Sequence, residues 1–405
     1  MFEFTIKSKL KSARTGTFIT PHGAIKTPVF MPVGTYGAVK TLAPWEVEAL
    51  GSQIILGNTY HLYLRPGDSE IAKFGGLHQF INWPHPILTD SGGFQVYSIG
   101  DRQKINEEGI IFRSHIDGSE HKFTPEKSMQ IQQNLGADII MAFDDVAGIS
   151  QGPLELKKSM ERTHRWLTRC IVETRRWRVS NQEETPQRSV STSGLNQALF
   201  GIVQGGYEQD LRKKSAEFVA NQNLPGNAIG GLAMPGDFEK SEILNSKLEM
   251  WETVELVNQI LPENKPRYLM GVGEPADLVK AISLGCDMFD CVLPTRLARH
   301  GTVWIQNPDS PNYPFSPNFY KRISLLRAEF KSDPRPIDEN CTCPACSPSL
   351  SNLPYHPSTS YLPFSRAYLR HLLITNEVLG MRLLSMHNIW FLNQLVARIK
   401  AEIDK

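Results

Sequence analysis

One pattern limits what this chain can fold into. A short apolar run ends in Asp, Gln or Gly, and a stretch with helical spacing usually follows. The runs are PILTDSGGF (86–94), DIIMAFDD (138–145), ALFGIVQGG (198–206), NAIGGLAM (227–234), RYLMGVG (267–273) and CDMFDCVLPT (286–295). Helical segments lie between them, such as Pro125 to Gly136, with Thr124–Pro125 as a start and Gly136 as a stop, and Pro275 to Gly285. Strands alternating with helices predict βαβ units and a parallel sheet. Two further strands are expected near Val29–Pro32 and Ser52–Leu56. Eight would make a (β/α)8 TIM barrel, whose function collects at the C-terminal ends of the strands. A doubly wound sheet is the competing arrangement.

Composition narrows the class. The chain has 405 residues, 40% of them hydrophobic, so it buries a sizeable core without disulfides. The start, MFEFTIKSKLKSART, has no apolar h-region, and no stretch approaches a membrane span. A cytoplasmic protein with reduced thiols and no membrane partner is expected. A net charge of +1 gives no global pull toward nucleic acid, so any polyanion site must be local. Residues 179–196 are polar and read as a loop. Residues 347–364 hold four prolines and five serines, and regular structure is not expected there.

Three of the six cysteines form the cluster CTCPAC, 341–346. Three thiolates that close in a reducing compartment favour Zn²⁺ in a closed tetrahedral site. Cys341, Cys343 and Cys346 are the ligands, and the fourth is expected from His356, His371 or His387. Spacing does not choose among them.

Three strand ends carry acids: Asp90, Asp144 with Asp145, and Asp290. In a barrel they would converge on one cavity. Paired carboxylates suit glycosidic chemistry, one acting at the anomeric carbon and another moving protons. Each acid alone could be a helix cap or a surface charge. Asp290 is harder to explain that way, because it interrupts the apolar MFDCVL. Asp90 precedes Ser91-Gly92-Gly93, a tight turn where backbone can approach a ligand.

GVGEPA (271–276) matches the dinucleotide fingerprint and would make the chain an oxidoreductase. Glu274 would then sit beside the pyrophosphate, and the motif comes late in the chain. A glycine-rich phosphate site at a late barrel strand fits better. In TRLARHG (295–301), Arg296 and Arg299 would flank a site at Asp290 and could hold phosphates or read base edges. The arginine-rich 162–178 reads first as a solvated helix face, with RNA contact as the alternative.

Together TDSGGFQV, AFDD, GIVQGG, GGLA, YLMGVG, DMFDCVLPTR and CTCPAC resemble the bacterial tRNA-guanine transglycosylases, from TPVFMPVGT (27–35) to the end of the chain. The resemblance implies a (β/α)8 barrel over 1–325, a zinc-binding subdomain over 326–390 and a closing helix over 391–405. It implies exchange of the guanine at wobble position 34 of tRNA for a 7-deazaguanine, through a covalent enzyme–RNA intermediate, in queuosine biosynthesis. Asp290 matches the nucleophile and Asp90 the general acid/base. Ser91, Phe94, Asp144, Gln204, Gly231, Leu232 and Met270 match base-binding positions. Gly271, Val272, Gly273, Glu274 and Asp277, with Thr295, Arg296, Leu297, Ala298 and Arg299, match RNA-contacting segments. His387, in SMHNIW, matches the fourth zinc ligand, and 347–364 looks like an insertion. A homodimer is implied, and no ATP or redox cofactor is needed. Val146 resembles the members that take queuine, whereas Met234 adds bulk where those members tend to be small. The incoming base is therefore open between queuine and 7-aminomethyl-7-deazaguanine. Nothing follows Lys405, which argues against the archaeal relative with its extra RNA-binding domain. A non-catalytic accessory subunit would be expected to lack the acids, and Asp90 and Asp290 are both present. A zinc-dependent RNA-binding protein without catalysis is the other alternative.

Overall fold

In a computed structural model that describes residues 2–98, 104–183, 197–232, 243–310, 313–347 and 362–405, each apolar run forms a strand. The strands are β1 (Val29–Gly34), β2 (Ile55–Gly57), β3 (Ile87–Thr89), β4 (Ile139–Met141), β5 (Ala198–Val203), β6 (Gly226–Ile229), β7 (Arg267–Leu269) and β8 (Met288–Cys291). Both further expected strands are present, as β1 and β2. All eight pair in parallel with their chain neighbours, and β8 pairs with β1. The barrel is closed. That removes the doubly wound sheet and the dinucleotide fold GVGEPA would have required.

The period of two along a strand sets what faces inward. Met31, Leu56, Leu88, Ile139, Met141, Phe200, Ile202, Ala228, Tyr268 and Met288 pack together in the interior. Phe30, Ile55, Ile87, Ile140, Leu199, Val203, Ile229, Leu269 and Phe289 belong to the outer core against the helices. Continuing the alternation two residues past Leu88, Ile202, Tyr268 and Met288 gives Asp90, Gln204, Met270 and Asp290. The polar residues that end the strands are therefore inward-facing by register. The strand β4 ends at Met141, and buried Phe143 joins the outer core. Asp144 reaches the mouth because the chain has already left the strand.

An antiparallel sheet of Glu3–Leu10, Ala13–Thr20 and Gly23–Thr27 adds Phe18 and Ile25 to the interior cluster. Its Arg14 forms a bidentate pair with Asp287, at 3.0 and 2.5 Å, with both side chains buried. Asp287 immediately precedes β8, so this pair fixes the foot of the strand that ends in Asp290. Nearby, His22 and His78 bond to the two oxygens of Asp138 at 2.8 and 3.1 Å. Their rings stack 3.5 Å apart at 13°. Near-parallel rings at that spacing cannot both aim in-plane lone pairs at one ion, so the trio is a hydrogen-bonded staple and not a metal site.

The helix Pro125–Leu135 starts with the Thr124 side chain accepting from Lys127 N and ends at Gly136, as its signals predict. The arginine-rich segment lies on the long helix Pro153–Glu183. Arg162 pairs with Asp145, Arg165 with Glu107 at 2.7 Å and Arg169 with Glu126 at 2.7 Å. These pairs fit the helix-face reading. The helix also runs through 179–183, where the composition suggested a loop; polar composition alone does not stop a helix already packed on the barrel. Residues 184–196, Met234, His356 and 348–361 of the expected insertion lie outside the described residues.

After β8 come the helix Leu293–Arg299, the hairpin Thr302–Gln306/Tyr320–Ser324 and the helices Arg366–Ile374 and Val378–Ile403. The last is one continuous helix of 26 residues that passes through position 390. It packs on Leu293–Arg299 and on β1.

Candidate active site and metal centre

Asp90 is held from several sides. Its Oδ1 accepts from Thr59 N at 2.9 Å and Gly92 N at 3.2 Å. Its Oδ2 accepts from Asn58 Nδ2 at 2.5 Å and Gln95 Nε2 at 3.3 Å. Burial raises its pKa to about 7, with the neighbouring charges of Asp290 and Asp144 adding to the rise and the Thr59 and Gly92 amides opposing it. A carboxyl there both gives and takes a proton near neutrality. The charges of Asp290 and Asp144 both act on Asp90, so the three strand ends bring these acids near one another.

Asp290 is raised too, chiefly by burial. Tyr268 Oη donates to its Oδ1 at 2.6 Å, and Gly271 N donates to the same oxygen at 2.8 Å. Both donors hold Oδ1, and among the described residues Oδ2 is the less encumbered oxygen. The side chain remains partly exposed, so a ligand in the mouth can reach it.

Asp144 accepts from Ser91 Oγ at 2.9 Å and from Gln204 Nε2 at 2.8 Å. Burial pushes its pKa up to about 6, against those two bonds. Asp145 points elsewhere, onto Arg162, with Thr163 and Ser159 holding its backbone. The expected acid pair thus divides: Asp144 belongs to the site and Asp145 to the helix Pro153–Glu183.

Gly231 lies against this network with φ +68°, and a Cβ there would sit 2.4 Å from Gln204 Oε1. Leu232 is buried, and Tyr207 Oη donates to its carbonyl at 3.2 Å. Met270 Sδ lies on the Gly230 side of the mouth, and Phe94, on the helix Gly93–Ser98, is half-buried. The segment after β7 folds close to β8: a Cβ on Gly273 would meet Cys291 Cβ at 2.2 Å. In that segment Gly271 is exposed and Val272 buried. Glu274 accepts from Tyr320 Oη at 2.5 Å and pairs with Arg322, and Asp277 pairs with Lys247 at 2.9 Å. Thr295 and Ala298 are buried, Leu297 half-buried and Arg296 exposed. Arg299 has a buried Nη1 with no partner among the described residues.

Cys341, Cys343, Cys346 and His387 form a group that could hold a metal ion, with all four ligand atoms within 4.8 Å of one another. His387 Nδ1 lies 3.6, 3.5 and 3.4 Å from the three sulfurs. Its Nε2 meets the Trp304 carbonyl at 2.7 Å, which leaves Nδ1 as the ligand nitrogen. This resolves the choice of histidine among the described residues, since exposed His371 is not in the group. The other three cysteines are barrel residues whose thiols burial pushes up to about 12.

Asn58, Gln95, Tyr207 and Tyr268 were not singled out from sequence. The inward register after Met288 marks Asp290, and Tyr268 shares that register one strand earlier.

A family model described as queuine tRNA-ribosyltransferase matches residues 9–405. The chain is 49% identical to a queuine tRNA-ribosyltransferase of Herpetosiphon aurantiacus over 402 residues, covering 99% of this chain and 88% of that protein. It is 46% identical to one of Halothermothrix orenii over 393 residues, covering 97% and 91%. It is also 46% identical to one of Fusobacterium nucleatum over 405 residues, covering 99% and 94%.

Proposed function

The chain belongs to the queuine tRNA-ribosyltransferase family, and from that premise we propose how its barrel mouth works as a tRNA-guanine transglycosylase in queuosine biosynthesis. The enzyme is a pentosyltransferase that acts on tRNA. The observation that carries the mechanism is the pairing at the mouth: Asp290 has one oxygen anchored and the other less encumbered among the described residues, and Asp90 near it has a pKa of about 7.

The wobble nucleotide must leave its stack to enter the mouth. Asp290 Oδ2 attacks ribose C1′, the C1′–N9 bond breaks, and protonated Asp90 gives its proton to the departing guanine. The product is an ester between Asp290 and the tRNA. A 7-deazaguanine, queuine or 7-aminomethyl-7-deazaguanine, then occupies the pocket. Asp90, now a carboxylate, takes the proton from its N9. That nitrogen attacks C1′, the ester breaks and Asp290 is restored. Two displacements retain configuration. One glycosidic bond replaces another, so no external energy source enters.

Asp144, Gln204, Ser91 and the backbone at Gly231–Leu232 read the base edge, and Phe94 and Met270 cover its faces. Gly271–Asp277 and Thr295–Arg299 contact the RNA, with exposed Arg296 as the clearest donor. The metal is zinc. With Zn–S of about 2.3 Å and Zn–N of about 2.05 Å, tetrahedral geometry puts nitrogen and sulfur about 3.55 Å apart, which matches the His387 separations. A zinc there would be structural, tying the 341–346 cysteine segment to the C-terminal helix, whose His387 also bonds the Trp304 carbonyl. The reading also includes a cytoplasmic homodimer with a barrel over 1–325, a zinc subdomain over 326–390 and a closing segment over 391–405, the last two joined by one helix.

The test is incorporation of labelled guanine into tRNA by the wild type and by Asp290→Ala. Label entering only with the wild type supports the reading. Equal incorporation by the variant would remove Asp290 as nucleophile, and tRNA binding without exchange would favour a non-catalytic RNA-binding protein.

A further inference from the structure

Arg212 lies in the run QDLRKKS on the helix Gln209–Asn221. Lys213 and Lys214 beside it are exposed, yet Arg212 is 0% exposed. It shares its helix face with Ser215, Ala216 and Val219, at the spacing of a core stripe. Among the described residues its hydrogen bonds go to backbone carbonyls. Nε donates to Gly206 O at 2.6 Å, Nη1 to Val203 O at 2.7 Å and Nη2 to Gly230 O at 2.8 Å. None of these partners is a carboxylate. Burial lowers its pKa only to about 9, so it keeps its charge at neutrality. A buried cation with no carboxylate partner among the described residues is costly, and neutral residues would satisfy a core stripe without that cost.

The three carbonyls share one property. Val203 precedes Gln204, Gly206 closes the turn after it, and Gly230 O belongs to the same peptide group as Gly231 N–H. One turn further along, Ser215 Oγ accepts from Gln204 N at 3.0 Å. The planar fork of a guanidinium reaches several acceptors at fixed angles, which a lysine ammonium cannot do. A carbonyl that accepts from a cation is polarised, and its peptide N–H becomes a stronger donor.

We propose that Arg212 is a positioning residue for base recognition: it locks the Gln204 and Gly231 loops in one register and polarises the Gly230–Gly231 peptide, so that the pocket selects purines by their hydrogen-bonding edge. This rests on the reading of the pocket as the base site. The experiment compares wild type, Arg212→Lys and Arg212→Met for incorporation of labelled guanine and labelled 2-aminopurine, which lacks the O6 acceptor that the Gly231 N–H would read. The ratio of the two kcat/KM values does not depend on how much of a preparation is folded, so poorly stable variants still report. The ratio should fall about tenfold in Arg212→Lys and further in Arg212→Met, with KM for tRNA within about twofold of wild type. A wild-type ratio in both variants would overturn the inference and leave Arg212 a fold-completing residue. Failure of the wild type to incorporate guanine would instead overturn the base-site reading, and the inference with it.

Discussion

Replacing Gly231 with Ala separates backbone strain from pocket chemistry. At φ +68° an alanine costs about 1–2 kcal/mol of stability. Its Cβ would lie 2.4 Å from Gln204 Oε1, so the amide must move. The end of a side chain moves easily, but this end donates to Asp144 at 2.8 Å. Relieving the clash therefore breaks that bond, and a hydrogen bond to a charged group contributes about 1.5–3 kcal/mol. The expected loss in kcat/KM for the incoming base is about 10- to 150-fold. Asp144 also loses a partner that lowers its pKa, so the defect should be larger at pH 6 than at pH 8. Gly118→Ala is the control. Its φ is +76°, it is exposed, and nothing lies within 4 Å of a Cβ there. It should lose similar stability in urea denaturation and keep wild-type base kinetics. Steady-state incorporation of guanine, titrated at saturating tRNA, measures both variants. Unchanged base kinetics in Gly231→Ala, with the same stability loss as Gly118→Ala, would refute the argument that Gln204 and Asp144 read the base.

Two further outcomes are expected. His387→Ala should bind less than one equivalent of zinc by elemental analysis and lower the melting temperature, whereas a full equivalent retained would contradict the ligand set. Asp90→Asn tests the linkage of its raised pKa. A carboxyl whose pKa is about 7 when folded and near 4 when unfolded contributes stability below pH 4 that is lost as pH rises through 7. The variant should therefore melt higher than wild type at pH 8, show little gain at pH 4, and lose exchange activity. Equal melting shifts at both pH values would show that Asp90 is not held in a raised state.

The barrel was legible because its strands are short, apolar and ended by polar residues, and because buried parallel strands carry no competing alternation. The same rule located Asp90, Gln204 and Asp290, since the inward register continues past the strand. Asp145 looked equivalent to Asp144 because adjacent residues share a composition signal but not a direction. The supporting groups were harder to see. Asn58 reaches Asp90 across 32 positions and Tyr268 reaches Asp290 across 22, and neither spacing is local. Arg212 sits among lysines and reads as a surface cation unless its spacing to Ser215, Ala216 and Val219 is noticed. The histidine that completes the metal group could not be chosen from spacing, because the ligand depends on how the last helix packs on the Trp304 strand.

The most direct test of the mechanism is to trap the enzyme with tRNA, separate the mixture on a denaturing gel, and map the modified peptide by mass spectrometry. The account predicts a denaturation-resistant adduct that disappears on addition of excess guanine, with the ribose ester on Asp290. An ester on Asp90, or full exchange activity with no adduct at saturating tRNA, would contradict it.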